Sequence, residues 1–213
     1  MRHLPPVVVF DLGGVLVQFD EAPLCEVVRP AVAHAIWWEF VLHSPTFRGF
    51  ETGTFTTEQM AAVAVPHLCR AEVDIPTFLR QLSLWPAEPF PGARDIVQRV
   101  RTAGFRTLML SNTNPLHWGI LKPKFADLFD HCVLSFETGW LKPNPEAFAV
   151  VEQFENYRGS DILFFDDNLK NIAAARARGW NAIAVSGPHE IASYFDEFGV
   201  SPAFAATLSG GGR

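Results

Sequence analysis

Short runs of apolar residues recur along the chain, and each run ends in polar residues or at a turn. Continuous runs of about four residues are typical of strands that are buried on both faces, as in a parallel sheet. The runs that fit this description are Val7–Phe10, Thr107–Leu110, Cys132–Leu134, Ile162–Phe165 and Ala182–Val185.

Helical patterns separate most of these runs. Ala93–Ala103 and Leu169–Arg178 are each followed by a glycine, a residue that commonly ends helices. Asn144 and Pro145 are typical of an N-cap and the first position of a helix. The alternation of strands and helices predicts an α/β fold, a doubly wound parallel sheet with right-handed crossovers.

One long stretch breaks this alternation. About seventy residues after the first run lack a clear strand, and a structureless loop of that length is improbable in a compact domain. Ala31–Leu42 and Thr57–Cys69 both have a helical pattern within it. The sequence therefore predicts a helical cap formed by residues 17–89, inserted into an α/β core formed by residues 1–16 and 90–213.

The composition is that of an ordinary globular protein, with 48% hydrophobic and 19% charged residues. A net charge of −6 without a Lys/Arg cluster argues against nucleic acid as a partner. Cys25, Cys69 and Cys132 form no CxxC pair, which gives no support to a disulfide framework or a thiolate zinc site. No apolar run approaches a signal-peptide core or a membrane span, so we expect a cytoplasmic protein that does not bind membranes.

Acidic residues stand directly after two of the predicted strands. Asp11 precedes Gly13 and Gly14, at the sheet edge where open α/β proteins bind ligands, although a plain turn would look the same. Asp166 and Asp167 follow the fourth run, and neighbouring carboxylates repel each other unless a cation neutralises them. Mg²⁺ takes oxygen ligands and needs only one or two carboxylates. The alternative is that one Asp caps the next helix and the other is solvated.

Two further motifs could bind phosphate. Ser111 and Asn112 follow the second run, where a hydroxyl and backbone N–H groups can hold phosphate oxygens, although a polar turn is equally compatible. Lys142 stands before two prolines, which hold it on a stiff loop. Its ammonium could offset the charge of a carboxylate and a phosphate together, whereas most single lysines are merely solvated.

In their order and placement, these four motifs resemble those of the haloacid-dehalogenase superfamily, from residue 7 to residue 185. The helical insert resembles the small α-helical cap of that superfamily. The finer pattern resembles a bacterial group related to α-D-glucose-1-phosphate phosphatase and to the phosphatase domain of bifunctional epoxide hydrolases. The segments that carry this finer resemblance are Asp11–Gly14, Leu110–His117 and Phe164–Asn168.

The resemblance implies a Mg²⁺-dependent hydrolase of phosphomonoesters that acts on a small phosphorylated metabolite, such as a sugar phosphate, as a monomer or a homodimer. Asp11 would be the nucleophile and would form an aspartyl-phosphate. The implied metal ligands are the Asp11 carboxylate, the Gly13 carbonyl, Asp167 and, through water, Asp166. The implied phosphate ligands are Ser111, the Asn112 N–H and Lys142.

Gly13 departs from the pattern of the superfamily. The phosphatases of this superfamily commonly carry a second Asp two residues after the nucleophile. That Asp acts as the general acid for the leaving group and as the general base for water. Loss of such a group typically costs ~10²–10⁴-fold in rate. Either the substrate has an easy leaving group, or another residue takes the place of the missing acid. The candidates for such a residue are Asp20, His43 and Glu51, although a residue of this kind is more often an ordinary surface residue than a general acid.

The sequence is also compatible with two other functions. In a 2-haloacid dehalogenase the same Asp attacks carbon without a metal, but Asp166 and Asp167 together would repel a carboxylate substrate. A phosphosugar-binding protein with weak turnover is the third possibility. Some aromatic and neighbouring residues could either pack the cap or line a pocket; these are Trp37, Trp38, Phe40, Phe47, Phe50, His117 and Trp118.

Overall fold

The computed structural model describes residues 4–29, 34–155 and 157–198. The strands are β1 (Val7–Phe10), β2 (Val17–Phe19), β3 (Pro86–Pro89), β4 (Arg106–Ser111), β5 (His131–Leu134), β6 (Ile162–Asp166) and β7 (Asn181–Ala184). The helices are α1 (Ala22–Val27), α2 (His34–His43), α3 (Pro45–Glu51), α4 (Thr57–Leu68), α5 (Ile75–Ser83), α6 (Ala93–Thr102), α7 (Pro115–Phe125), α8 (Ser135–Thr138), α9 (Pro145–Glu155), α10 (Leu169–Ala177) and α11 (Pro188–Glu197). Within the described ranges, none of these helices has the length and apolar character needed to cross a membrane.

Five strands form one parallel sheet in the order β5-β4-β1-β6-β7. The chain leaves β1 to form β4 and β5 on one side, and it later places β6 and β7 on the other side. The strand order therefore reverses at β1, and open α/β sheets bind ligands outside the carboxyl ends of the strands at such a point. The predicted doubly wound parallel sheet is confirmed, and each predicted strand agrees with the observed one to within a residue at its ends.

Both faces of the sheet are buried, which explains the continuous apolar runs. In β1, Val8 and Phe10 pack on one face with residues of α6 and α11, while Val7 and Val9 pack on the other with residues of α9 and α10. Because successive side chains of a strand point to opposite faces, all four residues must be apolar. The polar Asp11 directly follows these four residues, at the carboxyl end of β1.

Polar side chains cap the N-termini of several helices in the cap and next to the site. Ser44, Thr56 and Asp74 accept a hydrogen bond from a backbone N–H in the first turn of α3, α4 and α5. Asn114 and Asn168 do the same for α7 and α10 in the core. Each such bond satisfies an N–H that has no partner within the helix, which fixes where the helix begins.

Helices α1 to α5 lie between β2 and β3 and bury a hydrophobic cluster of their own, which includes Phe47, Phe50, Met60 and Phe78. The helix predicted over residues 57–69 is α4, and the one predicted over residues 31–42 is α2, although residues 31–33 lie outside the described ranges. The helical insert is thus present. Its boundaries at residues 17 and 89 stay a prediction.

The expectation of no strand between β1 and the Ala93 helix is wrong at two places. β2 and β3 pair antiparallel, with Val17 opposite Pro89 and Phe19 opposite Pro86. β2 has three residues, and β3 begins and ends in proline, which cannot donate a ladder hydrogen bond. Neither segment therefore shows a strand pattern, although together they place the Phe19 ring beside the site described below.

We predict that Phe148→Ala lowers the free energy of unfolding by about 3–5 kcal/mol, because it leaves a cavity in the core. Phe148 packs edge-on against Phe164 and Trp180 beneath the sheet. Phe154→Ala on the same helix is the matched control, since that ring is 52% exposed, and it should cost less than about 1 kcal/mol. Urea denaturation measures both, and equal losses would contradict this packing.

Candidate active site

The carboxyl ends of β1, β4 and β6 meet at the floor of a cavity of about 480 Å³. Asp11 follows β1, Ser111 ends β4, and the buried Asp166 ends β6. Asp167 comes next along the chain, and the loop between α8 and α9 adds Lys142. The structure thus brings together the five side chains that the sequence predicts for the site.

Lys142 lies buried between two carboxylates. Its Nζ is 2.8 Å from Asp11 Oδ1 and 2.7 Å from Asp166 Oδ2, and 1% of its side chain is exposed. Burial acts to lower the pKa of Lys142, but the attraction of Asp11 and Asp166 outweighs burial and raises it. Lys142 therefore stays cationic beside the Asp11 carboxylate.

Asn112 fixes the backbone of Lys142. The Lys142 N–H donates to Asn112 Oδ1 at 2.8 Å, and Asn112 Nδ2 donates to the Lys142 carbonyl at 2.9 Å. These two bonds hold the lysine loop against the end of β4. Only the Asn112 N–H has a role predicted from the sequence, and this use of the side chain could not be predicted because its partner is 30 residues away.

Asp166 has partners within the protein for both carboxylate oxygens. Oδ1 accepts from the Asn168 N–H at 2.8 Å and from Asn171 Nδ2 at 3.0 Å. Oδ2 accepts from Lys142 at 2.7 Å and from Asn171 at 3.1 Å. Asp166 therefore orients Lys142 and the start of α10, and it is less available than Asp11 or Asp167 for direct contact with a ligand.

Asp11, Asp166 and Asp167 form a cluster in which one oxygen of each lies within 4.8 Å of the others. Burial is the main cause that raises the pKa of Asp11; Lys142 opposes it, while Asp166 and Asp167 raise it further. Burial, followed by repulsion from Asp166, raises the pKa of Asp167. The Lys142 ammonium cannot balance three carboxylates, so an added cation would favour their ionised forms. Oxygen donors of this kind suit Mg²⁺.

Gly14 makes room for the Asp167 carboxylate. Its φ is +72°, and a Cβ at this position would lie 2.3 Å from Asp167 Oδ2. A larger residue would strain the backbone and displace the carboxylate. The glycine therefore lets Asp167 approach the loop that follows Asp11.

The ring of Phe19 covers Gly13. A Cβ at Gly13 would lie 2.5 Å from Phe19 Cζ, and Phe19 in turn packs on Trp85 with the ring centroids 5.3 Å apart. A second acidic side chain at Gly13 would therefore have to displace this ring. The structure offers no acid at the position two residues after Asp11.

The three residues considered as substitutes differ in their positions. Asp20 lies outside the cavity lining, and its Oδ1 accepts from the Ala22 N–H at the start of α1. His43 lines the cavity but is exposed, 3.8 Å from Glu39. Glu51 lines the cavity and is partly buried; burial raises its pKa to about 8, although Arg48 opposes this shift.

His117 also lines the cavity, but both of its ring nitrogens have partners. Nε2 donates to the Leu82 carbonyl at 3.1 Å, and Nδ1 accepts from Asn114 Nδ2 at 3.0 Å. Burial lowers the pKa of His117 to about 4, although the bond to Leu82 opposes it, so the ring is neutral. His117 thus joins α7 of the core to the end of α5 in the cap, while Trp118 belongs to the buried core.

The aromatic residues of the cap divide into two groups. Trp37 and Phe50 are buried in the cap cluster, and Phe40 packs against it. Trp38 and Phe47 pack with the same cluster and also line the cavity. The cavity therefore has an aromatic wall on the cap side and a charged floor on the core side.

Curated proteins of several activities are similar to this chain. D-ribitol-5-phosphate phosphatase of Bacteroides thetaiotaomicron is 26% identical over 191 residues, which cover 81% of this chain and 88% of that protein. Drimenol cyclase drtB of Aspergillus calidoustus is 26% identical over 92% of this chain, and haloacetate dehalogenase H-2 of Moraxella sp. is 27% identical over 57% of it. The aligned part of the chain spans 37% and 54% of the length of these last two relatives.

Solved structures share the fold. A HAD family enzyme of Bacteroides thetaiotaomicron, bt-2542, was crystallised with magnesium and inorganic phosphate, and it superposes with a TM-score of 0.71 at 23% identity. The superposition covers 83% of this chain and 92% of that chain. Residues 5–179 of the sequence match the haloacid dehalogenase-like hydrolase family. Together with the parallel sheet, this match shows that the chain belongs to the haloacid dehalogenase-like hydrolases.

Proposed function

We propose that this hydrolase removes the phosphoryl group from a small phosphorylated metabolite, with Asp11 as the nucleophile and Mg²⁺ as the cofactor. The observation that carries the proposal is the position of the Asp11 carboxylate. It lies 2.8 Å from the buried Lys142 ammonium, in an acidic cluster suited to a divalent cation. The cavity of about 480 Å³ is within the range of ~300–1,000 Å³ that is usual for small-molecule sites.

The comparisons support the same activity. D-ribitol-5-phosphate phosphatase, of which the aligned region covers 88%, is named as a phosphatase of a sugar-alcohol phosphate. The bt-2542 structure holds magnesium and phosphate within the same fold. A phosphorylated polyol or sugar is therefore the first substrate class to test.

The donor set fits Mg²⁺. Asp11 and Asp167 would hold the ion together with the Gly13 carbonyl, while Asp166 would act through water, because its oxygens already have partners in the protein. When bound, Mg²⁺ supplies positive charge that allows an anionic carboxylate to approach an anionic phosphate.

The residues of the chain perform the remaining steps. The Asp11 carboxylate attacks phosphorus, the bond to the leaving oxygen breaks, and water then attacks phosphorus in the aspartyl-phosphate to restore Asp11. Lys142, Ser111 and the Asn112 N–H would bind the other phosphate oxygens, where fixed positive charge and donors stabilise the transition state. The Asn112 side chain and Asp166 keep Lys142 in place for this task.

A dehalogenase is the second candidate, because Gly13 lacks an acid and haloacetate dehalogenase H-2 is among the relatives. In that reaction the Asp11 carboxylate would displace halide from carbon. The charges favour the phosphatase, since a haloacid carboxylate entering the cavity would meet Asp11 and Asp167, whose combined negative charge the single Lys142 ammonium only partly balances.

Asp11→Asn should lower phosphatase activity by on the order of 10⁴-fold or more, the scale seen when a covalent nucleophile is removed. Amide and carboxylate have nearly the same shape, so the fold should be retained. The measurement is phosphate release from a panel of sugar, polyol and aryl phosphates with Mg²⁺. Asp95→Asn, on the exposed side of α6, is the matched control and should keep full activity.

In the same assay, EDTA should abolish phosphate release by the wild-type chain, and excess Mg²⁺ should restore it, because the acidic cluster needs a cation. An outcome with no phosphate release from any ester in the panel, but with halide release from 2-chloropropionate, would overturn the assignment in favour of the dehalogenase.

Gly14→Ala should weaken Mg²⁺ binding by roughly 10–100-fold, the usual effect of disturbing the support of a metal ligand. The new Cβ would lie 2.3 Å from Asp167 Oδ2 and displace it. Gly92→Ala is the matched control, because its φ of +79° carries similar backbone strain with nothing within 4 Å. Calorimetric titration with Mg²⁺ measures both, and equal affinities in the two variants would contradict the role given to Asp167.

A further inference from the structure

The proposed reaction needs a proton that the Asp11 loop cannot supply. The leaving oxygen of a polyol phosphate is a poor leaving group unless it is protonated as the P–O bond breaks. Gly13 has no side chain, and the Phe19 ring fills the space in which one would lie. The proton donor must therefore come from elsewhere in the cavity.

The direction of attack points to the cap. In-line displacement places the leaving oxygen on the side of phosphorus opposite the attacking oxygen. Asp11 lies on the floor formed by the sheet, so the leaving group faces the cap helices. Among the described residues that line the cavity, the cap contributes three ionisable side chains, which are His43, Arg48 and Glu51.

Two of these three side chains are poorly suited to the task. Arg48 does not release a proton at any pH of interest. His43 lines the cavity but is exposed to solvent, with its Nε2 3.8 Å from Glu39 Oε2. Glu51 is partly buried at the end of α3, next to the buried Phe50.

We propose that Glu51 is the general acid that protonates the leaving group and the general base that activates the hydrolytic water. This inference rests on the proposed phosphatase function and adds the residue that takes the place of the missing acid at Gly13. It also explains why the enzyme tolerates an aromatic ring over Gly13.

The segment that carries Glu51 is fixed against the core. Gly53 follows two residues later with a φ of +74°, and a Cβ there would lie 2.3 Å from the Phe136 carbonyl oxygen of α8. α3 packs against α8, and the loop that leaves α8 leads to Lys142. Thr54 Oγ1 donates to the Gly49 carbonyl and closes the turn after the helix. Glu51 is thus held at the junction of cap and core, on the side of the lysine loop.

The surroundings of Glu51 favour its protonated form. Burial raises its pKa to about 8, and Arg48 opposes this shift. Other ionisable groups stand on the packed helices and across the cavity; they are Glu39 and His43 on α2, Glu58 and His67 on α4, Glu137 on α8, and Asp11, Lys142, Asp167 and Lys170 in the core. At neutral pH the Glu51 carboxyl therefore holds a proton that it can donate.

The proton balance closes over one turnover. As Asp11 attacks and the P–O bond breaks, the Glu51 carboxylic acid gives its proton to the leaving oxygen and becomes a carboxylate. The alcohol departs, and water attacks the phosphorus of the aspartyl-phosphate. Glu51 takes the proton from this water, which restores both Glu51 and Asp11 and releases phosphate.

The test compares Glu51→Gln with wild type on two substrates that differ in leaving group. Hydrolysis of a polyol phosphate should fall by about 10²–10⁴-fold, because its alkoxide needs protonation. Hydrolysis of p-nitrophenyl phosphate should fall far less, since nitrophenolate leaves without a proton. In wild type, kcat on the polyol phosphate should decline as pH rises through the pKa of Glu51, and this decline should be absent in Glu51→Gln.

His43→Asn and Asp20→Asn are the controls and should affect both substrates alike. If Glu51→Gln loses activity equally on the two substrates, Glu51 has a structural role and not a catalytic one. If it loses activity on neither substrate, Glu51 has no role in the reaction. Either result overturns this inference, while the phosphatase assignment stands. A wild-type chain that releases no phosphate from either substrate would contradict both proposals.

Discussion

The buried Lys142 ammonium, between Asp11 and Asp166, is the interaction on which the site depends. A buried cation is stable only with its anions, and removing one partner of such a pair typically costs about 3–5 kcal/mol. Asp166 is in turn held by Asn171, and the Lys142 backbone by Asn112. Four separate segments of the chain are therefore fixed relative to one another before any ligand binds, as a preorganised site requires.

The reversal of the strand order at β1 makes this arrangement possible. Asp11 lies after the central strand, with β4 and β6 as its immediate neighbours, so their terminal residues Ser111 and Asp166 come within reach. The cap closes the other side of the cavity with aromatic rings and with Glu51. In the proposed reaction the residues of the floor position the phosphoryl group, and Glu51 of the cap protonates the leaving group because Gly13, beneath the Phe19 ring, has no acid.

The sequence was sufficient for the features that depend on local pattern. Continuous apolar runs predicted β1 and β6 because both faces of these strands are buried, and the polar residues at their ends predicted the site. The sequence was insufficient for features that depend on contacts between residues far apart in the chain. β3 is hidden by its two prolines, and the Asn112 side chain finds its partner 30 residues away. From the sequence, Glu51 was one of three candidates for the general acid. Its position in the wall of the cavity depends on how the cap packs on the core, which the sequence does not show.

The central claim is that Asp11 receives the phosphoryl group. The most direct measurement is rapid acid quench of the wild-type chain during turnover of a phosphomonoester with Mg²⁺, followed by mass spectrometry of the peptide that contains Asp11. With Asp11 as the nucleophile, we expect a phosphoryl adduct on Asp11 that is absent with EDTA and absent in Asp11→Asn. Phosphate formed at full rate while Asp11 stays unmodified at every quench time would contradict it.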